Sequence, residues 1–196
     1  MTKYIHILVL CVIIAGIALT IPFFDSCEDL TQDVLRVHIL ANSDSAADQS
    51  LKLCVRDKVV EKCSPYYDGC KSKEEALQIT RAHLGEIKKI AEQEIDDHGF
   101  TYPVKASVEE HYFNTRYYEN FTMPAGIYDS LRLIIGEGEG QNWWCVMYPS
   151  LCVGCACEDE MKDDLDDGEY RVVTSDQLDF RFKLVEYFEE IKEWFR

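Results

Sequence analysis

The sequence predicts an α+β domain: a mixed or antiparallel sheet covered by two long helices and a carboxy-terminal amphipathic helix, after an amino-terminal hydrophobic signal or anchor helix. Three observations carry that expectation. The run VLRVHILA at 34–41 is rich in branched aliphatics, and two stretches of helical periodicity follow it. Strand-like segments then crowd between residues 104 and 148, and apolar residues recur at helical spacing near the end of the chain. With 196 residues and 47% hydrophobic content, the chain can bury a core of this kind.

The elements follow in order. After Lys3, residues 4–24 contain no Asp, Glu, Lys or Arg. That length lies between the apolar region of a signal peptide and a spanning helix, so residues 1–24 read as a signal peptide or membrane anchor. Gly16 and Ala18 supply the small residues for a cut after Ala18, whereas Cys11, preceded by Leu10, lies too early for a lipoprotein signal. Residues 25–33 read as a linker and 34–196 as a single extracytoplasmic domain.

The strand at 34–41 ends at Asn42-Ser43-Asp44-Ser45, side chains suited to capping a helix. That helix places Ala47, Leu51, Cys54, Val55 and Val59 on one face, with Asp48, Lys52, Arg56 and Asp57 elsewhere, and Ser64-Pro65 closes it. Ser72 and Glu75 form a capping box for a second helix, with Leu77, Leu84, Ile87, Ala91 and Ile95 on one face and Gly99 at its end. Val104, Ala106 and Val108 alternate as in a half-solvated strand, and 116–121 is a candidate short strand. Pro124-Ala125-Gly126 turns into a strand reaching Ile135. The glycine-rich segment 136–142 then leads to the aromatic strand 143–148, so those two strands are expected to pair. A further strand is expected at 170–173, and Phe180, Leu184, Phe188, Ile191 and Phe195 define the terminal helix.

A net charge of -16 argues against attraction to nucleic acid or anionic lipid, both of which reward Lys and Arg. Nine cysteines, eight without Cys11, agree with an oxidising compartment. Gly136, Gly138 and Gly140 resemble a phosphate-cradling loop only superficially, because a strand follows and Glu137 and Glu139 repel phosphate. The acidic stretch 158–169 lacks the ligand positions of a calcium loop: with Gly168 sixth, Leu165 is third and Thr174 twelfth. Cys145, Cys152, Cys155 and Cys157 are too cramped for paired zinc knuckles and favour disulfides. No metal or cofactor is expected. His38, Ser43 and Asp44 are residue types from which a small extracytoplasmic hydrolase could be built, but Ser43 and Asp44 are already explained as caps and a lone strand histidine is commonly a hydrogen-bonded structural residue.

Two stretches, RVHILANSDSAADQSLKLCVRD at 36–57 and PAGIYDSLRLIIGEGEGQNWWCVMYPSLC at 124–152, resemble the stage II sporulation protein R family, in order with the amino-terminal hydrophobic segment and FKLVEYF at 182–188. The resemblance implies a non-enzymatic signalling protein of endospore formation. Such a protein is exported into the space between forespore and mother cell, where it activates an integral-membrane aspartic-type protease that processes the sigma E precursor. It implies two partner-binding patches: His38, Asn42, Ser43, Asp44 and Asp48, and Gly136, Glu137, Gly138, Gly140, Asn142, Trp143 and Trp144. It also implies a Cys145–Cys152 pair, with no catalytic residue. As adjacent strand residues, Trp143 and Trp144 must point to opposite faces.

Overall fold

The computed structural model describes residues 2–118, 121–149, 165–175 and 180–195. The chain divides into two compact units, one of Met1–Thr31, Tyr112–Gly126 and Lys162–Arg196, the other of Gln32–His111 and Ile127–Met161.

The second unit carries the sheet and two long helices. Strand β1 (Leu35–Leu40) is followed by α2 (Ala46–Cys63), a single 3₁₀ turn (Ser64–Tyr67) and α3 (Lys73–Asp97). Helix α1 (Thr2–Asp33) precedes them. Strands β2 (Val104–Phe113), β5 (Gly126–Ile135) and β6 (Asn142–Tyr148) complete a sheet of order β2-β5-β1-β6. Strand β1 runs parallel to β5, with Val37 opposite Leu131, and antiparallel to β6, with Val37 opposite Cys145. The sheet is therefore mixed.

This order corrects the expected hairpin: β5 and β6 do not pair, because β1 lies between them. The physical reason lies in β1 itself. Its residues 35–39 are buried on both faces, and a buried strand needs ladder partners along both edges. Leu35, Val37 and Ile39 meet Leu131, Leu133 and Ile135 of β5, Met147 of β6, and the inward faces of α2 (Leu51, Val55, Val59) and α3 (Ile87, Ala91, Ile95). Ser45 starts α2 by accepting from the Asp48 amide, and Ser72 starts α3 by accepting from that of Glu75. Glu75 returns a bond to the Lys71 amide rather than to Ser72, so the expected box is only half formed.

In the first unit, β3 (Arg116–Tyr117) and β4 (Thr122–Met123) form a small antiparallel ribbon, joined by α4 (Asp167–Val173) and α5 (Phe180–Trp194). The strand expected at 170–173 is helical. Asp166 accepts from the Gly168 and Glu169 amides, while Glu169 caps the Asp166 amide, a local box that outweighs the β-propensity of Val172 and Val173.

The linker expected at 25–33 is also helical, being the end of α1. Phe23, Cys27 and Leu30 recur at i, i+4 and i+7 and are buried, a stripe the surrounding acidic residues obscure. Among the described residues, no helix is long and apolar enough to cross a membrane.

Candidate functional site

The two sequence patches, nearly a hundred residues apart, are one structure. Leaving β1, the chain turns through 41–45, and the glycine-rich loop between β5 and β6 crosses directly over that turn. The Glu139 amide donates to the Asn42 carbonyl at 3.2 Å and the Gly140 amide to the Ala41 carbonyl at 3.0 Å. Glu137 donates its amide to Asn42 Oδ1 at 3.1 Å, and Gln141 donates its own to Asp44 Oδ1 at 2.8 Å. Glycine is needed for this approach. A Cβ on Gly140 would stand 2.3 Å from the Ser43 carbonyl oxygen. One on Gly136, whose φ is +59°, would stand 2.2 Å from Asn42 Oδ1.

Asp48 is the node beneath the crossing. Ser43 Oγ donates to its Oδ2 at 2.5 Å and Asn42 Nδ2 to the same oxygen at 3.0 Å, with the Tyr102 hydroxyl a further donor. The Ser43 bond, then the Asn42 bond, hold the Asp48 carboxyl below the usual carboxylate range, against the opposing effect of burial. Lys52, one helical turn on, donates to Gln49 Oε1 at 2.7 Å and to the Gln141 carbonyl at 2.9 Å. Gln49 in turn donates to the Ser43 carbonyl at 2.9 Å.

Two expectations change here. Asp48 and Lys52, placed off the core face by periodicity, are buried. With Val55 and Val59 they fall at i, i+4, i+7 and i+11, one stripe of the helix, and that spacing was the available signal. Ser43 and Asp44 are not the caps: that role falls to Ser45, leaving Ser43 to hold Asp48 and Asp44 to hold the loop.

The sheet face turned away from α2 and α3 holds a second cluster. His38 is buried, its Nε2 donating to Asn142 Oδ1 at 2.8 Å. Its ring stacks on Trp144 at 3.8 Å between centroids, with His111 at 5.1 Å. Arg132, the register partner of His38, pairs with Glu109 at 2.8 Å. The two tryptophans point to opposite faces as expected, and both are half-buried: Trp143 packs against the main core under the Arg56 guanidinium, 5.0 Å from its ring centroid. His111, Glu109, Arg132, Tyr102 and Gln49 escaped the sequence reading because only the strand order and the loop crossing bring them to the site.

His38 and Ser43 are not joined into a relay, since the hydroxyl is directed to Asp48 and the imidazole to Asn142. Cys145 is disulfide-bonded, while Cys152, its expected partner, lies outside the described residues together with Cys155 and Cys157. The Cys63 thiol is buried and pushed up to about 11, first by desolvation and then by Glu86, the opposite of what a reactive thiol requires. Among the described residues, no group of three or more His, Cys, Asp or Glu is arranged to hold a metal ion.

The sequence pattern of stage II sporulation protein R matches residues 31–157, an interval that contains both patches and their crossing. The chain belongs to that family. The stage II sporulation protein R of Bacillus subtilis (strain 168) is 37% identical over 123 residues, 63% of this chain and 55% of the relative, so the match spans little more than half of that protein. No solved structure matches. Most of α1, and all of α4 and α5, lie outside the interval that matches the stage II sporulation protein R pattern.

Burial, partly offset by the Asn142 bond and reinforced by His111 and Arg132, lowers the His38 pKa to about 4. The imidazole is neutral in the folded chain while an unfolded one titrates near 6.5. Below that value the unfolded state binds the extra proton. The stability His38 contributes is therefore complete above pH 6.5 and is lost progressively as pH falls toward 4, on the order of 2 to 3 kcal/mol. Urea midpoints measured across this window should fall with pH in the wild type and fall less in His38→Gln; equal slopes would contradict the assignment.

Proposed function

We propose that this chain is an exported activator of a membrane-embedded aspartic-type protease, triggering processing of the sigma E precursor in the space between forespore and mother cell. The supporting observation is the fusion of the two family patches into one hydrogen-bonded surface. Loop 136–141 is pinned to 41–45 before any partner arrives, which reduces the ordering entropy lost on binding. Its rim presents Asp44, Glu137, Glu139, Gln141 and Asn142 to solvent. Activation is then a population shift, in which the chain binds the active arrangement of the protease more tightly than the inactive one. Residues 1–24 serve export or anchoring, and a Cys145–Cys152 bridge pins the end of β6.

The test is coexpression of chain, protease and precursor in a non-sporulating host. Cleavage should require all three, and its absence with every component folded and correctly placed would reject the reading. Reversing the exposed charges in Glu137→Lys/Glu139→Lys should slow processing about tenfold through a weaker encounter, since rim charges act mainly on association rates. An unchanged rate would remove the acidic rim from the contact.

A further inference from the structure

We propose that α5 lies on the surface of a phospholipid bilayer, with its outward stripe among the headgroups and upper acyl chains. The reading goes beyond the protease-activating one and concerns a different unit of the chain.

Packing fixes which way α5 faces. Phe182 and Val185 are buried; the Phe182 ring meets Phe23 of α1 edge-on at 5.2 Å, and the Arg181 guanidinium covers Phe23 at 4.2 Å. With that side committed, the expected stripe of Phe180, Leu184, Phe188, Ile191 and Phe195 is turned outward, and Tyr187 and Trp194, which the expectation did not include, extend it. Leu184, Tyr187, Phe188, Ile191, Trp194 and Phe195 are all exposed, from 42% at Leu184 to 81% at Trp194. At 100° per residue they fall within an arc of about 120°, the width of one face of an amphipathic helix. The charges flanking this stripe largely neutralise one another: Lys183 pairs with Glu186 at 2.7 Å and Lys192 with Glu189 at 2.8 Å. The Lys192 ammonium also lies over the Phe188 ring, 4.9 Å from its centroid, a cation–π contact that holds this charge against the stripe. Tyr187 and Trp194 are the aromatic types that favour the water–lipid boundary.

The neighbouring helix identifies the occupant. Phe188 meets Phe24 of α1 at 5.8 Å, so the α5 stripe continues onto α1. There Tyr4, Ile5, Leu8, Val9, Leu10 and Ile14 are exposed, and at helical spacing they spread over about 260° of the circumference, with the exposed His6 in the remaining arc. A protein partner covers one side of a helix, whereas an apolar surface over nearly three-quarters of the circumference calls for hydrocarbon. A one-sided stripe continuous with such a surface fits a helix lying in the plane of the interface. As the α5 charges nearly balance, neutral lipid suffices.

The experiment uses the full chain on phosphatidylcholine vesicles carrying a doxyl quencher either near the headgroup or deep in the acyl region. Trp194 is the reporter, and Trp194→Phe supplies the emission of Trp143 and Trp144 to be subtracted. The shallow quencher should reduce the Trp194 component about twofold or more, and the deep one less. In Leu184→Glu/Ile191→Glu, whose changes lie outside the packed face, that quenching should disappear while α1 keeps the chain on the vesicle. Equal Trp194 emission with and without quencher would overturn the proposal and leave the stripe to a protein partner. Persistent quenching in the double variant would overturn it too, because the stripe would not be the contact. No protease enters the measurement, so its failure is separate from failure of the activator reading.

Discussion

Replacing Asp48 by alanine should destabilise the chain by about 3 kcal/mol and disable the surface built above it, because three buried or half-buried donors then lose one shared acceptor. A bond to a charged group contributes about 1.5–3 kcal/mol, and the three are not additive since Ser43, Asn42 and Tyr102 relax together. Asp48→Asn keeps the shape and one acceptor oxygen but removes the charge, so roughly half the loss is expected. The two variants also differ from the wild type in pH dependence. Because the folded-state carboxyl titrates below its ordinary range, the stability it contributes is present above that range and lost as pH falls through the lower folded value. Removing the carboxylate removes that part of the acid transition. Urea unfolding at neutral pH, followed by tryptophan emission, measures the effect; a change under about 0.5 kcal/mol in Asp48→Ala would show that Asp48 does not hold the crossing.

Gly140→Ala should be at least as damaging, at about 3 to 4 kcal/mol, with only one methyl added. The new Cβ would meet the Ser43 carbonyl oxygen at 2.3 Å, its carbon at 2.6 Å and Ala41 Cβ at 2.9 Å. Two of those atoms are backbone, so no rotamer change relieves the clash. The loop must lift, breaking the Gly140–Ala41 and Glu139–Asn42 bonds that pin it. A matched control is Gly85→Ala in the middle of α3, where a Cβ meets nothing within 4 Å and alanine should stabilise by about 0.5–1 kcal/mol. Opposite signs for the two substitutions would show that the loss comes from the close approach. A mild effect at Gly140 would mean that the loop stands further from 41–45 than the structure places it.

Where a feature depended on residues close in the chain, the sequence was readable. Ser72 and Glu75 announced the start of α3, the β-branched run announced β1, and alternation put Trp143 and Trp144 on opposite faces. The errors arose where distant groups competed with a local pattern. The glycine-rich loop looked like a hairpin connection because nothing local reveals that β1 occupies the space between β5 and β6. Val172 and Val173 favoured a strand until the Asp166–Glu169 box was counted. Both patches of the candidate site were legible as separate stretches, but their supporting residues Tyr102, Glu109, His111 and Arg132 carry no motif of their own.

By itself, the sequence determined the family, the α+β class, the long helices α2 and α3, and which loops carry the candidate residues, since composition, capping and periodicity are properties of neighbouring residues. Tertiary structure alone decided that β1 is central, that two remote patches are one surface closed over Asp48, and that the apolar stripe of α5 faces outward. Those outcomes depend on which surfaces compete for the same burial, and a buried strand edge or carboxylate can be satisfied only by groups that folding brings to it.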